Sequence, residues 1–203
     1  MSIYDLCAEV AEYPNLPPEY VKKMLHKVPK APVFDRAEYL TKAARNKVII
    51  DIGASGPMSE KLQEVATEYY GVGTMPNVHE NFYHIDLDKA KELPPFSRKL
   101  DLIIAGEVIE HVSNAGHLLD LLHPLGVQVI LTTPNAYSAT GAAYNKRGIE
   151  SVNKEHVSWY SYHTLKVLVE RHGFNVLLWG WYNGKPLTAE GLIFHMEPID
   201  GND

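Results

Sequence analysis

The chain has 203 residues and a formal net charge of −6, with a pI of about 5.9. This acidic balance argues against a protein that holds nucleic acid through a general basic field, although a local basic groove is compatible with it. The length suits one domain with a sizeable core, and 45% apolar with 22% charged residues is ordinary for a soluble globular protein. Cys7 is the single cysteine, so no disulfide framework is expected, and the cytoplasm is the expected compartment. Neither a signal peptide nor a membrane span is predicted, since the first residues include acids and no apolar run is long enough.

Residues 1–46 precede the first core strand and are predicted to form a helical cover, with residues 47–203 as the main domain. Apolar side chains at helical spacing predict a first helix in this cover: Val21, Met24, Leu25 and Val28. Asp35 followed by Glu38 matches a capping box, which opens a second helix that runs to about Ala44. These helices either cover a ligand crevice as a lid or only pack on the edge of the sheet.

The stretch K-V-I-I-D-I-G-A-S-G at residues 47–56 predicts the centre of the fold. Its β-branched apolar run suits a strand buried on both faces. Gly53 and Gly56 then let the backbone turn tightly and approach a ligand, and Pro57 fits the first turn of a helix. A strand, a glycine turn and an amphipathic helix build a nucleotide-sized crevice in α/β sheets. The pattern is D-x-G-x-x-G starting at Asp51, so it is not the dinucleotide fingerprint G-x-G-x-x-G.

Strands and helices alternate through the rest of the chain. Apolar runs predict further strands at residues 69–72, 83–86, 100–105, 127–131, 175–181 and 191–196. The link between the first two of these strands is short, so its crossover helix is expected to be brief or missing. Ser113 or Asn114 is predicted to cap one helix, and Ser161 to cap a second one that Gly173 ends. Alternating elements of this kind predict a doubly wound sheet.

Residues 133–157 show little periodicity and are predicted to form a long loop of the kind that is usually functional or mobile. The run T-T-P-N at residues 132–135, where this segment begins, ends a strand at the edge where α/β crevices lie. Four residues of the loop are candidate substrate contacts, although an exposed polar loop would look the same: Tyr137, Tyr144, Lys146 and Arg147. The three tryptophans are expected to pack rather than to stack on a ligand: Trp159, Trp179 and Trp181.

The acid ahead of the glycine turn resembles motif I of class I S-adenosylmethionine (SAM)-dependent methyltransferases, and a terminal antiparallel hairpin extends the resemblance over residues 47–196. The resemblance implies an α/β, Rossmann-like and mostly parallel sheet of seven strands, with SAM as the cofactor. The residues that it places in the cofactor site are Asp51, Gly53, Ala54, Ser55, Gly56, Gly73, Asp86, Leu87 and Gly106. Asp86 matches the acid that the family places near the adenine amino group. Asp88 competes for this role, and a solvated loop acid is the alternative.

Gly73 departs from the pattern of that family. Class I methyltransferases usually end their second strand with an acid that grips the ribose hydroxyls, and here residues 69–75 read Y-Y-G-V-G-T-M. A charge-assisted hydrogen bond of this kind contributes roughly 1.5–3 kcal/mol. The departure therefore predicts weaker SAM binding, a substitute acid such as Glu80, or a site that no longer binds SAM.

The segment E-V-I-E-H at residues 107–111 follows a predicted strand, at the edge where α/β crevices hold ligands. In a first helical turn, Glu107, Glu110 and His111 would share one face. The segment closely resembles one found in two methyltransferase groups, the small-RNA 3′-terminal 2′-O-methyltransferases and the ubiquinone-pathway O-methyltransferases. In the RNA enzymes the two glutamates and the histidine hold Mg²⁺ together with a second histidine, whose place His156 takes here.

This resemblance implies that Glu107, Glu110, His111 and His156 are catalytic residues and metal ligands. Carboxylate oxygens suit Mg²⁺ or Mn²⁺, and the imidazoles shift the preference toward Mn²⁺, Co²⁺ or Zn²⁺. A metal that holds a vicinal diol or a catechol would lower the pKa of the acceptor hydroxyl. In the alternative without a metal, the glutamates sit against a helix N-terminus and His111 lines the pocket or acts as a general base. His156 would then cap the next helix or pack against Trp159.

The sequence thus predicts a SAM-dependent methyltransferase that methylates an oxygen of a small-molecule acceptor, either with Mg²⁺ or Mn²⁺ as a second cofactor or without a metal. Two rival interpretations are an RNA 3′-end 2′-O-methyltransferase and a degenerate methyltransferase fold that binds without catalysis. The acidic charge and the lack of an RNA-binding module count against the first rival. Gly73 is the main support for the second.

Overall fold

A computed structural model describes residues 26–75 and 80–199 of the chain. Within these residues the strands are β1 (Val33–Phe34), β2 (Val48–Ile52), β3 (Glu68–Gly73), β4 (Phe82–His84), β5 (Leu102–Gly106), β6 (Val129–Pro134), β7 (Phe174–Tyr182) and β8 (Gly191–Pro198). The α-helices are α1 (Arg36–Ala44), α2 (Gly56–Val65), α3 (Ala115–Leu122), α4 (Ala139–Asn145) and α5 (Tyr162–Arg171).

The eight strands of the described ranges form one sheet in the order β1-β7-β8-β6-β5-β2-β3-β4. Every neighbouring pair is parallel except the two that involve β8, which runs antiparallel to β6 and to β7. The chain winds outward from β2 through β3 to β4, and then returns to the other side of β2 with β5. Ligands of open α/β sheets bind at the carboxyl ends of the strands beside such a switch point. The doubly wound, mostly parallel sheet with a terminal hairpin confirms the predicted fold class.

Helices cover both faces of the sheet. On one face, α1 and α2 contribute Leu40 and Leu62 to a core that includes Ile49 of β2. On the other face, α3 and α5 contribute Leu119 and Leu165 to a core that includes Ile50. Neighbouring residues of a strand point to opposite faces, which explains why the apolar run of β2 is continuous. None of the helices within the described ranges is long and apolar enough to cross a membrane.

Side-chain caps confirm three predicted helix starts. Asp35 accepts a hydrogen bond from the N–H three residues later, at 2.9 Å, ahead of α1. Asn114, one of the two predicted candidates, does the same ahead of α3 at 3.1 Å. Ser161 forms a reciprocal capping box with Thr164 at the start of α5. Each cap satisfies a backbone N–H that the first turn of a helix leaves unpaired, so local sequence sets where these helices begin.

Several features differ from the predictions. β1 adds an eighth strand to the expected seven by pairing in parallel with the end of β7. α4 lies within residues 133–157, where the sequence predicts a loop. The helix was not predicted because it has no apolar stripe and buries only Gly141. Residues 107–111 form a turn instead of a helical turn, with the His111 N–H donating to the Val108 carbonyl at 3.0 Å. The helix predicted over residues 21–28 lies outside the described residues except for its last three positions, which are not helical.

Candidate active site

The carboxyl ends of β2, β3, β4 and β5 border a cleft of about 290 Å³ at one edge of the sheet. The turns after these strands form most of its wall, and Glu155 joins them from the long segment after β6. Five residues of the predicted cofactor site line this cleft: Gly53, Ser55, Gly73, Asp86 and Leu87. The other predicted positions are not among the lining residues: Asp51, Ala54, Gly56 and Gly106.

Gly53 is the position where this cleft most requires a glycine. Its φ is +77°, a conformation that residues with a side chain rarely adopt, and a Cβ here would lie 2.9 Å from Cγ2 of Val108. The N–H groups of Gly53 and Ala54 both donate to the Val72 carbonyl, at 2.8 and 3.0 Å, which holds the turn against β3. A side chain at position 53 would therefore collide with Val108, which belongs to the wall of the cleft.

Gly73 ends β3 and lines the cleft at the position where the resemblance to class I methyltransferases implies an acid. A Cβ at Gly73 would meet nothing closer than the backbone nitrogen of Ala54, at 3.4 Å, which is ordinary van der Waals contact. Glu80, the substitute acid that the sequence suggests, is exposed and is not among the lining residues. Neither Gly73 nor Glu80 thus supplies a carboxylate to this part of the cleft wall.

Asp51 points away from the cleft, into the face of the sheet that α2 covers. It is 5% exposed, and its Oδ2 accepts hydrogen bonds from the hydroxyls of Ser59 at 2.6 Å and Tyr69 at 2.8 Å. Burial raises the pKa of Asp51 to about 6, although the two hydrogen bonds act in the opposite direction. Ser59 also accepts from the Ser55 N–H at 2.8 Å. Asp51 therefore supports the glycine turn from behind through Ser59.

Asp86 and Asp88 follow β4 and line the cleft from another side. Asp86 pairs with Lys89, and the hydrogen bond from Lys89 lowers the pKa of the Asp86 carboxyl. Asp88 accepts from the N–H and the hydroxyl of Ser113, at 2.7 and 3.1 Å. Asp88 thus fixes the segment that leads into α3, whereas Asp86 keeps an exposed carboxylate at the rim of the cleft.

Glu110 is the most deeply buried acid of the segment after β5, with 1% of its surface exposed. Its Oε2 accepts a hydrogen bond from the Thr133 hydroxyl at 2.9 Å, whereas Oε1 has no hydrogen-bond partner among the residues that the structure describes. Burial, followed by the charge of Glu107, raises the pKa of Glu110 to about 7. An unpaired buried carboxylate oxygen costs free energy, so this position suits a proton or a cation.

His111 and His156 approach Glu110 from two different segments. Their ring centroids are 4.5 Å apart and the rings are almost perpendicular. One donor atom each of Glu110, His111 and His156 lies within 4.8 Å of the others. The N–H groups of Val157 and Ser158 donate to the Glu110 carbonyl at 2.8 and 3.3 Å, which fixes the segment that carries His156. Burial, followed by the nearby His111, lowers the pKa of His156 and favours the neutral imidazole that binds metals.

Glu107 lines the cleft together with His111. Its Oε1 accepts hydrogen bonds from the hydroxyls of Tyr182 at 2.7 Å and Thr132 at 3.0 Å. Its charge raises the pKa of Glu110 and acts in the same direction on His156, so the carboxylate is electrostatically coupled to both. The structure thus brings three of the four predicted metal ligands together and places the fourth next to them.

The aromatic residues of the sequence prediction fall into two groups. Tyr137 and Tyr144, the candidate acceptor contacts, are exposed on the segment after β6, and Trp159 nearby is 40% exposed. Trp179 and Trp181 pack against each other with ring centroids 5.2 Å apart, in line with the expectation that the tryptophans pack, whereas the exposed Trp159 departs from it. The exposed group lies on the chain segment around His156, with Tyr137 and Tyr144 before it and Trp159 after it, and the packed group lies in β7.

Sequence reasoning missed the hydroxyl groups that hold the two glutamates. Thr132 and Thr133 lie in the T-T-P-N run, whose place at a strand end was the available signal, but the sequence alone does not pair them with acids. Tyr182 is 75 positions from Glu107 in the chain, and no local pattern marks it. Only the strand order of the sheet brings these groups together.

The strand order, with β8 inserted antiparallel between β6 and β7, and the glycine turn after β2 define a class I methyltransferase fold. Residues 24–178, which are 155 of the 203 residues, match the family model described as the methyltransferase domain. The chain therefore belongs to this family of methyltransferase domains.

Three similar proteins illustrate this relationship. The mitochondrial ubiquinone biosynthesis O-methyltransferase of Arabidopsis thaliana is 28% identical over 166 residues, which cover 71% of this chain and 52% of the relative. The chain therefore spans about half the length of this curated relative. The solved structure of the small RNA methyltransferase HEN1 gives a TM-score of 0.64 at 16% identity, over 87% of this chain and 27% of that one. The solved structure of the 1,6-didemethyltoxoflavin-N1-methyltransferase of Burkholderia thailandensis, with bound S-adenosylhomocysteine, gives a TM-score of 0.58 at 10% identity. This match covers 81% of the present chain and 78% of that one. At these identities the two solved structures show the shared fold.

Proposed function

We propose that this methyltransferase transfers the methyl group of SAM to an oxygen of a small molecule, with the help of a divalent cation held by Glu110, His111 and His156. The observation that carries the proposal is the unpartnered Oε1 of Glu110 beside two imidazoles whose donor atoms lie within 4.8 Å. The A. thaliana relative, by its name an O-methyltransferase of ubiquinone biosynthesis, supports oxygen as the acceptor atom.

The donor set fits a divalent cation on chemical grounds. One carboxylate and two imidazoles suit Mn²⁺, Co²⁺ or Zn²⁺ better than Mg²⁺, and the coupled carboxylate of Glu107 offers a further oxygen ligand. A cation at this position would pair the free oxygen of Glu110 and relieve its repulsion with Glu107. Because a ligand carboxylate must be deprotonated, we expect the affinity for the cation to rise as the pH approaches and passes the Glu110 pKa of about 7.

The chain's own residues bring a donor and an acceptor to one place. When bound, SAM supplies the methyl group, and the cation polarises the acceptor hydroxyl and lowers its pKa. Gly53 and Gly73 give the cleft walls without side chains, where a nucleoside can lie close to the backbone. Glu107 and His111 line the cleft on the side of the metal cluster, so a methyl donor in the cleft borders an acceptor held at that cluster. Orientation of two reactants in this way is a large part of catalysis for a transfer reaction.

The charge of the cleft favours a small acceptor over RNA. Four carboxylate side chains line it: Asp86, Asp88, Glu107 and Glu155. The described lining residues include no lysine or arginine. The net charge of the whole chain is −6. A phosphate backbone would be repelled by both, whereas an uncharged diol or catechol would not.

Calorimetric titration with MnCl₂, combined with a methyl-transfer assay, tests this function. We expect Mn²⁺ to bind the wild type, and His156→Ala to weaken that binding at least about tenfold, since it removes a ligand. His163→Ala, a matched histidine of α5 whose ring stacks on His26, should leave the affinity unchanged. With a catechol as acceptor, methyl transfer should stop when a chelator removes the cation and should return when Mn²⁺ is added back.

Two results would change the proposal in different ways. Transfer to the catechol at an unchanged rate after chelation would remove the cation from the reaction but keep the small acceptor. Transfer only to an RNA that ends in a free 2′,3′-diol would overturn the small acceptor and favour the RNA-directed rival.

A further inference from the structure

Glu107 adopts a backbone conformation that is rare for a residue with a side chain, since its φ is +57°. Such a conformation persists only where the surroundings determine it, and it is concentrated at functional sites. The Glu107 N–H donates to the Thr132 carbonyl at 2.9 Å. The Glu107 Oε1 accepts the hydroxyls of Tyr182 at 2.7 Å and Thr132 at 3.0 Å. With Oε1 occupied by two donors, Oε2 is the oxygen left for the cleft that Glu107 lines.

Tyr182 reaches Glu107 across the sheet. Its strand, β7, is separated from β5, which leads into Glu107, by β8 and β6. Tyr182 pairs with Gly191 of β8, and a Cβ on Gly191 would overlap the Tyr182 ring. The missing side chain at Gly191 is therefore the gap through which the phenol crosses β8 toward Thr132 and Glu107.

Residues of β1 and α1 also contact Tyr182 and Thr132. Phe34 of β1 pairs with Tyr182, and the Arg36 guanidinium carbon lies 5.6 Å from the centre of the Tyr182 ring. Arg36 Nε also donates to the Thr132 hydroxyl at 3.1 Å, so that hydroxyl accepts from Arg36 and donates to Glu107.

We infer that Tyr182 is a positioning residue, whose hydroxyl crosses the gap at Gly191 and fixes Glu107 so that its second carboxylate oxygen faces the bound ligand. Tyr182 is 4% exposed and is not among the residues that line the cleft, so it acts through Glu107. The inference rests on the proposed function in that Glu107 contributes to holding the cation.

A double-mutant cycle on Mn²⁺ affinity tests this role. Tyr182→Phe keeps the ring and removes the hydroxyl, and we expect it to weaken Mn²⁺ binding about tenfold, within the roughly 10–100-fold range of residues that orient a metal ligand. In a Glu107→Gln background the same substitution should change the affinity less than about twofold, because its effect passes through Glu107. Gly191→Ala retains the hydroxyl but obstructs the ring, and it should reproduce the loss.

Tyr39→Phe is the matched control. The Tyr39 hydroxyl bonds Nδ1 of His195 at 3.1 Å, away from Glu107, so its removal should leave Mn²⁺ affinity unchanged. If the wild type binds no Mn²⁺, the cation of the proposed function is wrong, and the same cycle measured by SAM titration then decides the inference, since Glu107 lines the cleft. The inference is overturned if Tyr182→Phe has equal effects with and without the Glu107 carboxylate, or has none in both titrations.

Discussion

Asp51 and Glu110 are both buried carboxylates, one within β2 and the other just after the neighbouring β5, but their oxygens are paired differently. Asp51 is 5% exposed and accepts two hydroxyl hydrogen bonds, from Ser59 and Tyr69. Glu110 is 1% exposed, accepts one hydroxyl from Thr133, and keeps one oxygen without a partner in the part of the chain that the structure describes. Burial raises the pKa of both carboxyls, to about 6 and about 7.

The difference separates an acid that shapes the site from an acid that is suited to act in it. The hydrogen bonds of Asp51 run to residues of α2 and β3, and through Ser59 they fix the glycine turn. The free oxygen of Glu110 lies beside His111 and His156, where another group can complete its bonding. Depth of burial and a raised pKa are therefore not enough to identify a functional acid. What distinguishes Glu110 from Asp51 is a carboxylate oxygen without a hydrogen-bond partner among the described residues.

Asp51→Asn tests the structural half of this comparison and should give the largest effect. The pKa of about 6 lies above the ordinary value of 3.8, so the folded state binds more protons than the unfolded state between these values. The free energy of unfolding of the wild type therefore falls as the pH rises from about 4 to about 6 and stays low above that, a loss of roughly 3 kcal/mol from this group. The amide of the variant does not titrate and escapes this loss. The difference in the free energy of unfolding between variant and wild type should therefore shift by about 3 kcal/mol in favour of the variant as the pH rises from 4 to 7.

Urea unfolding with a chelator present measures this gain. Glu64→Gln, on the exposed side of α2, is the control and should follow the wild type at every pH. Stability curves of Asp51→Asn and the wild type that remain parallel would show that Asp51 is not the buried titrating acid described above.

Local patterns in the sequence were enough to predict most of the fold. The apolar run of β2 and the glycine turn after it, and the caps at Asp35, Asn114 and Ser161, depend on residues that are close in the chain. β1 was missed because two residues form too short a run to show periodicity. α4 was missed because Ser138 caps a helix that lacks an apolar stripe. β1 is stabilised by its pairing with β7. α4 combines the local cap of Ser138 with hydrogen bonds from Ala139 and Thr140 to the distant residues Thr188 and Glu190.

The candidate site was predictable to the extent that it is local. The spacing of Glu110 and His111 placed them together, and resemblance added His156. The orientation of Asp51 could have been deduced from its alternation with Ile49, which is buried on the α2 side of the sheet. The contact of Tyr182 with Glu107 could not, because it depends on the order of four strands.

Glu110→Gln tests the functional half of the comparison and should give the next largest effect. An amide keeps the size of the side chain and its bond to Thr133 but removes the anionic ligand oxygen, so we expect Mn²⁺ to bind at least about 100-fold more weakly at pH 8. Asp51→Asn should change the Mn²⁺ affinity by less than about threefold, because Asp51 makes no contact with the cluster. Calorimetry on both variants gives the two values. Equal losses in the two variants would mean that unfilled bonding capacity does not distinguish a ligand from a structural acid.

Gly73→Asp extends the comparison to a carboxylate that the chain lacks, and its expected effect is the smallest. A Cβ at this position would lie 3.4 Å from the nearest atom, an ordinary van der Waals contact, and Gly73 lines the cleft. If the ribose of SAM lies here, as the resemblance implies, a charge-assisted hydrogen bond should tighten SAM binding about tenfold. Gly73→Asn has nearly the same shape without the charge and should tighten it less, because neutral hydrogen bonds are weaker. Calorimetric SAM titration of both variants measures the difference, and an unchanged or weaker affinity for Gly73→Asp would place the ribose elsewhere in the cleft.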